Sequence, residues 1–93
     1  MRGVLVVDAG AAVALGAGKS LLAAGIVGVE GEFCRGDAIA IKGEDGVVVA
    51  NGLSEYDAAE CRLLMGRQSS QHAEILGYSP RSAVIHRDQM VLR

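Results

Sequence analysis

The sequence predicts a small, mainly β domain carrying two or three short α-helices. Three observations lead there. Short runs of aliphatic and β-branched residues recur along the chain, each cut off by glycine, Asp or Asn. Two of these runs flank an Asp-Gly step, which favours the positive backbone angles of a tight hairpin. Only a few alanine-rich, capped segments interrupt the series with helical character. At 93 residues and 9.6 kDa the chain has room for one domain. Its 51% hydrophobic content excludes intrinsic disorder. With one Phe and no Trp, the core has to be built from Val, Leu, Ile and Ala.

The elements follow in order. Gly3 to Val7 is a short apolar strand. Asp8 then caps an alanine-rich helix through Leu15, which Gly16 and Gly18 end. Lys19 to Gly25 is a connector anchored by Leu21 and Leu22. Ile26 to Phe33 alternates with period two: Val27, Val29 and Phe33 point to one face, Glu30 and Glu32 to the other. Arg35-Gly36-Asp37 turns the chain, with the Asp side chain tying the backbone. Ala38 to Lys42 and Val47 to Gly52 form a hairpin around Gly43-Glu44-Asp45-Gly46. Asp57-Ala58-Ala59-Glu60 reads as a capping box, with Ser54 a competing cap. Behind it Ala58, Cys61, Leu64 and Met65 make an apolar stripe, stopped by Gly66. A further short helix is expected from Ser69 or Ser70 through Ala73, Ile75 and Leu76, with Gly77 its C-cap and Pro80 forbidding continuation. Ala83 to His86 and Met90 to Leu92 are strand pieces flanking Arg87-Asp88-Gln89. The expected core is Val4, Val6, Leu21, Leu22, Ile26, Val29, Phe33, Ile39, Ile41, Val47, Val49, Leu64, Leu76, Ile85 and Val91.

Several function classes are excluded or weakened. Every apolar run is interrupted well short of the ~20 residues of a membrane span. No signal peptide is visible at the start, so a soluble cytoplasmic protein is expected. Nine basic against eleven acidic residues, net −2, argue against a binder driven by phosphate contacts. Cys34 and Cys61 fit no metal spacing and read as reduced thiols, a disulfide between them being the alternative. Gly16-Ala17-Gly18-Lys19-Ser20 mimics the end of a phosphate loop, but Val13 stands where that motif needs its first glycine, and a helix precedes instead of a strand. His86-Arg87-Asp88 copies three letters of a kinase catalytic loop, but Arg93 stands where that loop needs Asn. His72 reads as solvated, and His86 as a hydrogen-bonded structural residue, with a binding or switch role as the alternative. The scattered carboxylates offer no acid–base pair, and the serines lie in caps and turns. No catalytic set can be assembled.

The order of pieces resembles a PUA domain, and within that family the C-terminal PUA domain of bacterial glutamate 5-kinases. The resemblance rests on Val7-Asp8-Ala9-Gly10-Ala11, on Gly18-Lys19-Ser20-Leu21-Leu22-Ala23-Ala24-Gly25-Ile26, and on Val29-Glu30-Gly31-Glu32-Phe33 with Arg35-Gly36-Asp37. It continues through Ala50-Asn51-Gly52-Leu53, Leu76-Gly77-Tyr78 and Val84-Ile85-His86-Arg87-Asp88. Asn51 departs from it, since family members usually carry Arg there, and this weakens a charge-based role at that position.

This resemblance implies a β pseudo-barrel over residues 1–93, a single PUA domain forming the C-terminal part of a longer chain, with Met1 the start of the piece. It implies a non-catalytic accessory and regulatory module of an enzyme of proline biosynthesis, which phosphorylates the side-chain carboxylate of glutamate. ATP and Mg would be held by an amino-acid-kinase domain absent from this chain; here no catalytic residue, cofactor or metal is expected. The expected partner is that kinase domain or a sister subunit. RNA binding is the alternative, by analogy of fold, with Lys19, Arg35 and Arg87 as the cations that would line a cleft. Aromatic stacking platforms are few: Phe33 reads as core, which leaves Tyr56 and Tyr78.

Overall fold

A computed structural model describes residues 3–68, 71, 75 and 83–92. The chain is mainly β, and the elements bounded among the described residues include five strands and two helices. In order these are β1 (Gly3–Val7), α1 (Ala9–Gly16), a 3-10 turn (Ala23–Gly25), β2 (Ile26–Gly31), β3 (Ala38–Gly43), β4 (Val48–Leu53), α2 (Ala58–Leu64), a further 3-10 turn (Arg87–Gln89) and β5 (Met90–Leu92). The strands join one sheet in the order β2-β1-β3-β4-β5. Every ladder is antiparallel except β1 with β3, whose parallel pairing needs the crossover through β2.

Helix α1 forms where expected. The Asp8 carboxylate accepts the Ala11 amide at 2.7 Å. Gly18, at φ +83°, ends the helix in a Schellman motif: the Lys19 amide donates to Ala14 O and the Gly18 amide to Leu15 O. A helix C-cap is therefore what the glycine-rich run does. The capping box of α2 is complete, with Asp57 Oδ1 accepting the Glu60 amide and Glu60 Oε1 accepting the Asp57 amide. Ser54 is not the cap. Its buried hydroxyl donates to Tyr56 O at 2.6 Å and belongs to a turn beneath the helix.

The sheet closes over its core with help from non-strand pieces. Leu21 and Ile85 form an isolated antiparallel bridge, and the Glu55 amide donates to Val84 O. Helix α2 is pinned at both ends, by Ala58 N to Phe33 O and by Gly66 N to Ala23 O. Inside lie Leu5, Val7, Ile39, Ile41 and Ala50 from the strands, with Leu15, Leu21, Phe33, Leu64 and Ile85 from the elements around them. Gly52 lets the chain pass here: a Cβ would stand 2.7 Å from Ile85 Cγ2 and 2.9 Å from Gln89 O.

Several core assignments are corrected. In β1 the buried residues are Leu5 and Val7, not Val4 and Val6, which are half-buried. All four are aliphatic, so alternation carries no phase. Leu22, Val47 and Val91 are exposed, at 47%, 59% and 72%. In β2 the ladder shifts between Val6 and Val7, leaving Val27 as an extra residue, exposed, while Ile26 and Val29 face in. A similar shift in the β3–β4 ladder puts Ala50 and Gly52 inside in place of Val47, with Val49 half-buried. Met65 leaves the apolar stripe of α2 and is exposed, while Tyr56, read from sequence as an available aromatic, is core. The expectations for His72, for Leu76-Gly77-Tyr78 and for most of the third helix lie outside the described residues.

Candidate functional site

The three cations named from sequence fall in two places. Lys19 follows α1 directly, and Arg87 opens the 3-10 turn before β5. Both line one open recess of about 250 Å³, floored by Leu15, Met90 and Leu92 and edged by Asp88. The Arg87 amide donates to Ser20 Oγ at 2.9 Å, which holds the turn against the connector. His86 shapes the same turn, its Nδ1 accepting the Asp88 amide at 3.1 Å. That is the structural hydrogen bond expected for this histidine.

Arg35 is elsewhere. It lines a separate recess with Leu53, Ser54 and Gln89, and its guanidinium engages both carboxylate oxygens of Glu60, with Nε to Oε1 at 2.9 Å. This bidentate pair ties the Arg35-Gly36-Asp37 turn to α2. Asp37 completes the turn by accepting the Cys34 amide at 2.7 Å. The structure thus brings Lys19 and Arg87 together and assigns Arg35 a fastening role.

The described residues offer little reactive chemistry. No group of three His, Cys, Asp or Glu side chains among them could hold a metal ion. Both cysteines are free. Burial pushes the Cys61 thiol up to about 12, against a partial opposing effect of its hydrogen bond with Ser54. Such a thiol is inert at neutral pH. Among the described residues no helix is long and apolar enough to cross a membrane. A third open recess, of about 500 Å³, runs between α1 and the connector, with Lys19 and Ser20 at its rim and Leu22 and Ala24 in its wall.

The most extensive feature is one that sequence reasoning missed. Because β1 is apolar at every position and β3 runs Ala38-Ile39-Ala40-Ile41 before Lys42, the outer surface of the sheet also carries aliphatic residues, beside Glu30, Lys42 and Asn51. One row of paired residues crosses all five strands, from Glu30 through Val4, Ala40 and Asn51 to Val91. Ala38 and Leu53 make the next pair on the same face, and Val6 stands beside Lys42. Lys42 reaches Glu30 at 3.2 Å, so the only described ion pair on this face is internally balanced. The signal available in the sequence was the absence of alternation in these strands, which marks a strand with both faces covered.

Comparison with known proteins places this geometry. The PUA domain family profile matches residues 3–76. The glutamate 5-kinase of Novosphingobium aromaticivorans is 67% identical over 92 residues, covering 99% of this chain and 24% of that protein. The chain thus spans about a quarter of the length of the curated relatives it matches. Among solved structures, a PUA domain from Aeropyrum pernix, crystallised as a tartrate complex, superposes with TM-score 0.69 at 34% identity, over 92% of this chain and 42% of that one. An archaeal box H/ACA sRNP Nop10–Cbf5 complex shares the fold at TM-score 0.63 and 21% identity, over 91% of this chain and 23% of that one.

Proposed function

This chain belongs to the PUA domain family, and we propose that it serves as the non-catalytic accessory and regulatory module of a glutamate 5-kinase, docking on the amino-acid-kinase part of that enzyme or on a sister subunit. The observation that carries this reading is the 67% identity to one quarter of a glutamate 5-kinase. The phosphorylation of glutamate by ATP, with Mg, would be performed entirely by the larger remainder. This module would contribute assembly and control.

The test uses the Novosphingobium enzyme in three forms: intact, shortened by its matching quarter, and with this chain grafted in place of that quarter. Glutamate-dependent ATP consumption should persist in the shortened form. Its thermal stability and effector response should change, and the graft should restore them. The 93-residue chain alone should consume no ATP. Turnover that vanishes from a still-folded shortened enzyme would give the module a catalytic group and refute the accessory role.

RNA binding has one observation in its favour, the shared recess of Lys19 and Arg87. Two cations make a small phosphate footprint. Each phosphate neutralised would add about 0.7 to the slope of log affinity against log salt for a single strand. No binding to tRNA or short single strands is expected at physiological salt. A micromolar isotherm that weakens with added salt would favour the RNA reading instead.

A further inference from the structure

We infer that His86 is a pH-sensitive cap: its neutral imidazole holds the 3-10 turn Arg87–Gln89 through Nδ1, and protonation exchanges that hydrogen bond for an ion pair with Asp88. The inference goes beyond the accessory-module reading and does not depend on it.

The turn sits where distant segments cross. The Leu21 amide donates to Ile85 O and the Val84 amide to Leu21 O, so the strand piece before His86 is fixed to the connector. Beyond it the Arg87 amide donates to Ser20 Oγ at 2.9 Å, and the Gln89 amide to His86 O at 2.8 Å. The remaining amide of the turn, that of Asp88, donates to His86 Nδ1 at 3.1 Å. A ring nitrogen accepts only while it carries no proton, which sets the neutral ring in its Nε2–H form. Protonation makes Nδ1 a donor and takes this acceptor from the Asp88 amide. A second partner is already in place, because Asp88 Oδ2 lies 3.6 Å from the same nitrogen. One residue thus offers the imidazole a donor amide and an acceptor carboxylate, and the charge on the ring selects between them. The His86 and Asp88 side chains are 50% and 76% exposed, so a proton reaches the ring without the fold opening. Arg87 shares the turn, Lys19 lines the same recess from the connector, and Glu55 sits on the strand piece through its amide bond to Val84 O. Among the described residues, Asp88 is the one acid within ion-pair distance of the ring. Histidine is the side chain that ordinarily changes charge between about pH 5 and 8. The cap therefore passes a local proton count to the Arg87–Ser20 contact, which joins residues 67 positions apart.

The test is a nitrogen-15 NMR titration of the 93-residue chain, with His72→Gln used to assign the two imidazoles. At high pH the ring nitrogens of His86 should report the Nε2–H form. Exchange protection of the Asp88 amide, taken relative to an unfolded peptide at the same pH, should fall at least about three-fold as the ring gains its proton. Protection of the Arg87 amide should fall with the same midpoint. His86→Asn supplies a side-chain oxygen that caps without titrating, and should hold both amides at their high-pH protection throughout. His86→Ala should lower Asp88 protection at every pH. A neutral ring in the Nδ1–H form would overturn the inference. So would Asp88 protection that stays level through the ring's titration, or a His86→Asn chain whose two amides follow pH as the parent's do.

Discussion

Both faces of the sheet are rich in aliphatic residues, and they meet opposite fates. The inner face presents Leu5, Val7, Ile39, Ile41 and Ala50, all fully buried. The outer face presents Val4, Val6, Ala38, Ala40, Leu53 and Val91 together with Glu30, Lys42 and Asn51, and of these only Ala40 is buried. What separates them is what the chain folds over them. Helix α1, the connector and the Leu21–Ile85 bridge close the inner side. Hydrophobicity in a strand thus marks what is to be covered, without saying by which part of which chain.

The sharpest way to break this contrast is to hollow the inner side. Phe33→Ala should destabilise the domain by about 3–5 kcal/mol, read as a fall in Tm or in the denaturant midpoint. A variant melting like the parent would show that the core is misplaced. Crowding the same side should cost less. Gly52→Ala drives a methyl group into Ile85 and the Gln89 carbonyl, and a loss of about 1–3 kcal/mol is expected in the same melts.

Cys61, the buried thiol of α2, gives the contrast a pH dependence. Its folded value of about 12 lies above the 9.0 of an unfolded chain. The unfolded state therefore loses this proton first. Stability is complete below pH 9 and declines between there and pH 12, with a limiting slope near 1.4 kcal/mol per pH unit. Cys61→Ala should flatten that decline, and a parent chain with level stability to pH 11 would contradict it. Removing the α2 cap, Asp57→Ala, should cost about 1 kcal/mol by chemical denaturation. At the small end, Val91→Ser on the outer face should shift the stability of the free chain by no more than about 0.5 kcal/mol. A large loss there would mean that Val91 is already covered within this chain.

Local features were readable because their causes are local. The Asp8 cap, the Gly18 stop, the hairpin at Asp45-Gly46 and the Asp57–Glu60 box each depend on a few neighbouring residues. Facing was not readable in β1, where Val4-Leu5-Val6-Val7 is apolar throughout, nor in β2 and β4, where ladder shifts at Val27 and Val49 break the period of two. Tyr56 was misjudged because its burial depends on a core assembled from distant parts of the chain. Of the candidate site, sequence supplied Lys19 and Arg87 as cations. Their sharing of a recess requires two turns 68 residues apart to meet, and Arg35's pairing with Glu60 requires the first turn after β2 to meet α2.

By itself the sequence determined the class of fold, the positions of caps and turns, and kinship with the PUA family, because caps, turns and the order of short motifs are written in contiguous residues. Only the tertiary structure decided which half of each apolar strand is core and which cations meet. Those outcomes depend on ladder register and on elements arriving from distant parts of the chain, and an uninterrupted apolar run is compatible with either phase.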